Sequence, residues 1–158
     1  MCPNGHEPCP INPNGFQWFD LTKDDSKYIL EQSLNAEKKL LKFIEEVKKK
    51  YNLKNSQICL SGFSQGCMMS INLGLTGSEN YNCIVGFSGK IIDKEDLLKR
   101  KKINTKMMLI HGDQDVVVSP SSLLEAKDFL IRNNVEVETN MIKTVSYTHL
   151  TLPTKDSV

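Results

Sequence analysis

The chain has 158 residues, of which 39% are hydrophobic and 25% are charged, and its formal net charge is +1. These values fit one globular domain and argue against a nucleic-acid partner, which would call for a strongly basic balance. No run is long and apolar enough to predict a membrane span. The five cysteines include no C-x-x-C pair, which predicts a reducing, cytoplasmic location.

The chain begins with a segment rich in Pro, Asn and Gly. Cys2, His6, Glu7 and Cys9 lie in it and are residue types that bind metals. Their spacing matches no known zinc pattern, so we favour a loop on the substrate-side surface and predict neither a metal nor a cofactor. Trp18–Phe19 is expected to anchor a loop by packing rather than to contact substrate.

The clearest helix is predicted from Ser33 to Tyr51, with Ser33 as its cap and a turn at Asn52. Its apolar side chains form one stripe, and Glu37 lies largely off it. The stripe comprises Leu34, Leu40, Leu41, Ile44 and Val47. The cationic runs 48–50 and 99–102 are expected at solvated helix ends.

A nucleophile elbow is predicted next, at Gly62–Gly66. This G-x-S-x-G motif lies between the strand-like run Gln57–Ser61 and the helix-like run Cys67–Leu75. A tight strand-to-helix turn lifts the serine above the sheet and needs small flanking residues, so Ser64 is the candidate nucleophile.

Strand and helix patterns alternate through the rest of the chain. The predicted strands are 82–87, 106–110 and 135–142, and the predicted helix is 123–131. Cys59, Cys67 and Cys83 lie in apolar runs and are expected to be small core residues. The alternation predicts an α/β protein with a mostly parallel sheet and crossover helices.

The loop His111–Asp115 follows a predicted buried strand, and Ser119-Pro120 then begins a helix. Asp113 and Asp115 could be simple turn residues. Downstream of a nucleophile elbow, however, such a loop is where an α/β-hydrolase carries the acid of its catalytic triad.

The chain resembles the phospholipase/carboxylesterase family of α/β-hydrolases, which includes the acyl-protein thioesterases. The resemblance rests on Pro3–Gly5 with Gln17–Leu21, on Ile58–Gly66, on Gly86–Gly89 and on His111–Asp115. It implies an α/β-hydrolase fold with helices on both faces of the sheet. It also implies that Ser64 is the nucleophile, that Asp115 is the triad acid and that the backbone N–H of Gln65 supplies half of the oxyanion hole. The substrate would be a small-molecule or lipid-like acyl ester or thioester.

Both ends depart from the family pattern. The N-terminal strands with their oxyanion loop, and the C-terminal loop that carries the triad histidine, have no counterpart. Val145–Thr154 resembles a translated library adapter, so His149 is interpreted as a decoy. We therefore expect a partial hydrolase domain over residues 1–144, a non-native tail over 145–158, and a fragment that is inactive. Its unpaired central strands predict poor solubility without a cooperative thermal transition.

Other functions remain open at this point. A dienelactone-hydrolase-like or peptidase-like enzyme would use the same fold, because a fold does not fix its substrate. A non-catalytic binding protein on the same scaffold would need no triad base. The sequence predicts no particular oligomeric state.

Overall fold

The computed structural model describes residues 1–10 and 12–143. The strands are β1 (Glu7–Cys9), β2 (Asn12–Gln17), β3 (Cys59–Phe63), β4 (Cys83–Phe87), β5 (Met107–Gly112) and β6 (Val137–Ile142). The helices are α1 (Ser26–Tyr51), α2 (Gln65–Thr76), α3 (Lys94–Arg100) and α4 (Ser121–Arg132), with a 3-10 turn at Asn55–Gln57. His149 and the predicted tail 145–158 lie outside the described residues.

Strands β3, β4, β5 and β6 form one parallel sheet in that order. Strands β1 and β2 form a separate antiparallel hairpin where the sequence predicts a loop. Each parallel pair is joined through a helix, because the chain must cross back over the sheet before it can begin a neighbouring parallel strand. The predicted α/β class with a mostly parallel sheet is confirmed, and the carboxyl ends of all four strands meet at one edge.

Helix α1 begins earlier than predicted, at Ser26. The carboxylate of Asp25 accepts hydrogen bonds from the N–H groups of Lys27 and Tyr28, at 2.9 and 3.2 Å. Ser33 is therefore not the cap; it is buried inside the helix, and its hydroxyl donates to the carbonyl of Leu30. An ionised carboxylate is the better cap because it also meets the positive end of the helix dipole.

All four helices pack into one apolar core on one face of the sheet. The helices contribute Ile44, Ile71, Leu97 and Leu123, and the sheet contributes Ile84, Met107 and Leu109. Residues that alternate with these point to the opposite face, where Met108 is 40% exposed. Within the described residues, the helices of this core therefore cover one face of the sheet.

Glu37 is buried and Arg100 is half-buried, although the run 99–102 was expected at a solvated helix end. Glu37 is 5% exposed and accepts hydrogen bonds from Arg100 Nη1 at 2.9 Å and from the hydroxyl of Thr76 at 2.6 Å. Arg100 also donates from Nε to Asp96, 2.6 Å away. This half-buried ion pair joins α1 to α2 and α3. Periodicity within one helix could not reveal it, because the partners are far apart in the chain.

The cysteines in the apolar runs differ from one another. Cys67 is buried as predicted, but Cys59 is exposed and Cys83 is half-buried. None of the helices within 1–10 and 12–143 is long and apolar enough to cross a membrane.

Candidate active site

Ser64 occupies a strained turn between β3 and α2. Its backbone has φ 52° and ψ −115°, a conformation that is uncommon for a residue with a side chain. Its N–H donates to the carbonyl of Phe87 at 2.8 Å, and its own carbonyl accepts from the N–H of Met68 at 3.1 Å. The hydroxyl of Ser64 makes no capping hydrogen bond to the helix. The turn therefore presents this hydroxyl at the carboxyl edge of the sheet.

The two glycines of the motif are not equivalent, although both were predicted to be required. A Cβ on Gly62 would collide with the backbone carbonyl group of Gly66 and lie against the nitrogen of Cys67. A Cβ on Gly66 would meet only the indole nitrogen of Trp18, at 4.0 Å. Close approach of strand to helix thus requires glycine at position 62 and leaves room for a methyl group at position 66.

The side chain of Gln65 holds a neighbouring loop against the elbow. Its Oε1 accepts from the N–H of Trp18 at 2.8 Å, and its Nε2 donates to the carbonyl of Phe19 at 2.9 Å. Phe19 is fully buried, so this segment is an anchored loop, as predicted for Trp18–Phe19. Sequence reasoning assigned Gln65 only a backbone role. Its N–H belongs to the first turn of α2, where helical N–H groups have no partner within the helix.

Asp115 and Asp113 differ in burial. Asp115 is 4% exposed, and its Oδ1 accepts from the N–H groups of Val117 and Val118, both at 2.9 Å. Asp113 is exposed, and its N–H donates to the carbonyl of Ile142. The geometry therefore singles out Asp115 as the carboxylate held in a fixed orientation.

His111 supports the Asp115 loop, a role that sequence reasoning missed. Its Nε2 lies 2.9 Å from the carbonyl of Val118 and 3.2 Å from Oδ2 of Asp115. A carbonyl only accepts, so Nε2 carries the proton and directs it to Val118. Asp115 Oδ2 is consequently buried without a hydrogen-bond partner among the described residues. The one feature of the sequence that could have indicated this role is that His111 is a histidine at the end of an apolar strand.

Ser64 lies between two cavities. The larger, of about 1030 Å³, extends along β3 between the hairpin and the apolar side of α1. The smaller, of about 280 Å³, has mostly apolar walls. Val117, next to the Asp115 loop, lines both cavities with Ser64. The parallel sheet thus brings the Ser64 turn and the Asp115 loop to one edge.

The described residues contain no cluster of three or more His, Cys, Asp or Glu side chains that could hold a metal ion. His6 Nε2 lies 3.2 Å from Glu7 Oε1, within the region where a metal site was considered. At the carboxyl edge of the sheet, the described residues present a serine hydroxyl and a buried carboxylate.

Comparison with known sequences identifies a family. The model of the Phospholipase/Carboxylesterase family matches residues 1–152. Acyl-protein thioesterase 1 of Saccharomyces cerevisiae is 30% identical over 147 residues, covering 86% of this chain and 62% of that protein. Acyl-protein thioesterase 1 of Yarrowia lipolytica is 33% identical over 79 residues, covering 48% of this chain and 35% of that protein. The chain thus spans less than two thirds of either relative.

Comparison with solved structures agrees with the sequence comparison. Esterase PE8 superposes with a TM-score of 0.86 at 31% identity, over 92% of this chain and 68% of PE8. SOBER1 of Arabidopsis thaliana has a TM-score of 0.74 over 92% of this chain and 72% of its own, and its 18% identity shows the fold alone. From the family match along nearly its whole length, this chain belongs to the phospholipase/carboxylesterase family of α/β-hydrolases.

Proposed function

We propose that the protein, at the length of its relatives, is a serine hydrolase of carboxylic esters or thioesters that works through an acyl-enzyme. The observation that carries this proposal is the strained turn at Ser64, a residue that lines both cavities. The names of its relatives, an acyl-protein thioesterase and an esterase, support the substrate class.

In this proposal, Ser64 Oγ attacks the carbonyl carbon of the bound ester. An imidazole accepts the hydroxyl proton and later protonates the leaving alcohol or thiol, and water then releases the acid. The N–H of Gln65 stabilises the oxyanion from the first turn of α2, where the helix dipole adds to the effect.

The buried carboxylate of Asp115 supports its proposed role as triad acid. Two backbone N–H groups fix Oδ1, and Oδ2 is left without a hydrogen bond in the described part of the chain. A buried polar atom of this kind costs free energy unless a partner satisfies it. A triad imidazole, held in one tautomer by donating to Oδ2, would be that partner.

The smaller cavity is the proposed acyl site. Ser64 borders it, and its volume of about 280 Å³ suits a short or medium acyl chain. Its apolar walls include Phe19, Leu21, Ile29, Met68, Ile92 and Val118. Filling it with Ile92→Trp should therefore raise KM for a butyrate ester and abolish turnover of longer acyl esters.

Action without a metal or cofactor, in the cytoplasm, belongs to the same proposal. The five cysteines are all free, which supports a reducing compartment. EDTA should leave the ester hydrolysis rate unchanged.

The test uses the family-length product of the gene and a fluorophosphonate probe, which labels activated serines. We expect labelling at Ser64, loss of labelling in Ser64→Ala, and full labelling in the matched control Ser61→Ala, which alters an exposed serine on the same strand. Esterase turnover that survives in Ser64→Ala would refute the nucleophile assignment. A folded product without labelling or turnover would instead favour a binding protein on this scaffold.

A further inference from the structure

Two cysteines meet at the end of the sheet opposite the proposed site. Cys59 begins β3 and Cys83 begins β4, and the two residues are partners in the parallel register. Their sulfurs are 3.3 Å apart, with the Cys83 thiol donating to the sulfur of Cys59. Both are free thiols. No sequence motif signals this pair, because only the strand register brings the two positions together.

The pair is accessible and separate from Ser64. Cys59 is exposed and Cys83 is half-buried. Ser64 follows the other end of β3, about 16 Å away at 3.3 Å per strand residue. Cys67, by contrast, is 2% exposed, with its sulfur packed near Gly86 and Gly89. A reagent in solution can therefore reach Cys59 while Cys67 stays covered.

The backbone geometry is compatible with a covalent bond between the two sulfurs. Neighbouring strands lie about 4.8 Å apart, within the range of roughly 4.4–6.8 Å between Cα atoms that disulfides span. The sulfurs need to approach from 3.3 Å to about 2.05 Å, which side-chain rotation can supply. Because the bond would lie at an exposed strand end, it would be of the labile, reversible kind.

We propose that Cys59 and Cys83 form a thiol–disulfide exchange site for low-molecular-weight disulfides. One thiolate attacks a sulfur of the small disulfide, forming a mixed disulfide and releasing one small thiol. The second thiolate then attacks the protein sulfur of that mixed disulfide and releases the other small thiol. The protein gives up two electrons and two protons, and the small disulfide is reduced to two thiols.

The electrostatics of the pair set its pH dependence. Cys59 is exposed as a residue, but local desolvation of its thiol, with a smaller contribution from the hydrogen bond of Cys83, raises the pKa of that thiol to about 11. The thiolate is the attacking species, so exchange through Cys59 should be slow at neutral pH and faster in alkali.

The test treats the 158-residue chain with oxidised glutathione at pH 8.5 and examines it by intact mass and non-reducing peptide mapping. We expect a loss of two hydrogens, one cross-link between the peptides of Cys59 and Cys83, and reversal by dithiothreitol. Cys59→Ser and Cys83→Ser should each retain a glutathione adduct on the remaining cysteine, because the resolving thiol is missing. The control Cys2→Ser should form the cross-link as the parent does.

Two results would overturn the proposal. One is a parent chain that keeps glutathione on Cys59 or Cys83 without forming the cross-link. The other is a cross-link that forms as readily in guanidinium, which would mean that the folded register does not direct it. Circular dichroism of each serine variant shows whether that variant still folds. If a variant does not fold, the presence or absence of the cross-link in the unsubstituted chain decides whether the proposal holds.

Discussion

The two glycines that flank Ser64 should respond in opposite ways to the same added methyl group. In Gly62→Ala, the new Cβ meets backbone atoms of Gly66 and Cys67, which cannot rotate away as a side chain would. Either the end of β3 or the start of α2 must move. In Gly66→Ala, the nearest atom to the new Cβ is Trp18 Nε1, at an ordinary contact distance of 4.0 Å.

The two costs can be estimated from these contacts. Overpacking of a close-packed site costs about 1–3 kcal/mol. Alanine also restricts the unfolded chain, which stabilises the folded state by about 0.4–1 kcal/mol. Gly62→Ala should therefore destabilise the fold by at most about 2.6 kcal/mol net, with about 1.3 kcal/mol as the middle of the range. Gly66 is the second residue of α2, so replacing it by alanine should stabilise the fold by at most about 1 kcal/mol, the value for a helix interior.

Limited proteolysis of the family-length product under native conditions measures this difference, because the 158-residue chain is expected to lack a cooperative transition. When closing is fast, the cleavage rate follows the population of the open form. Gly62→Ala should therefore be cleaved faster than the unsubstituted protein, by about tenfold at the middle of that range and by at most about 70-fold. Gly66→Ala should be cleaved up to about 5 times more slowly, since tenfold corresponds to about 1.4 kcal/mol. Equal rates for the two variants, or a greater sensitivity at Gly66, would refute the packing argument.

Three further predictions concern single residues. Asp115→Asn in the family-length product should lower kcat/KM for p-nitrophenyl butyrate by about 10³–10⁴-fold, whereas Asp113→Asn should change it by less than about threefold. A larger loss of kcat/KM in Asp113→Asn than in Asp115→Asn would assign the triad acid to Asp113. The 158-residue chain should hydrolyse this ester no faster than its Ser64→Ala variant. The reason is that no imidazole of the described residues donates a hydrogen bond to Asp115 Oδ2. A hydrolysis rate that disappears in His149→Ala would show that His149 is the base. Burial raises the pKa of the Cys67 thiol from 9.0 to about 12. The neutral thiol therefore contributes fully to folding stability below about pH 9, and this contribution is lost as the pH rises toward about 12. The loss is at most about 1.4 kcal/mol per pH unit. Proteolysis from pH 8 to 11 should show a smaller alkaline loss in Cys67→Ala, and equal losses would contradict the assignment.

Local signals predicted much of the fold and the position of the proposed nucleophile. The order of strand, Gly62–Gly66 and helix is set by neighbouring residues, so the Ser64 turn could be expected from sequence. The burial of Asp115 relative to Asp113 could not be obtained from spacing. It depends on how the loop folds back so that Val117 and Val118 donate to one carboxylate oxygen.

Contacts between distant segments account for what sequence reasoning missed. The Gln65 clamp reaches back to Trp18 and Phe19, and the Glu37–Arg100 pair joins two helices. The Cys59–Cys83 pair depends on the register of two strands. Each involves residues that are ordinary for their own segment, so periodicity and composition give no warning of them.

The open side of β3 gives the last prediction. Ile58 accepts from Asn82 and Ser64 donates to Phe87, so by alternation Leu60 and Gly62 also bond to β4. The backbone groups of Ser61 then point away from β4, toward the side where no described strand pairs with β3. In hydrogen exchange, the amide of Leu60 should be protected and that of Ser61 should exchange near the unprotected rate. Such an edge invites pairing between copies, so a charge in Ser61→Lys should reduce aggregation. Equal protection of the two amides in a monomeric sample would show that another segment pairs with this edge, and the poor solubility expected of this chain would then lose its physical basis.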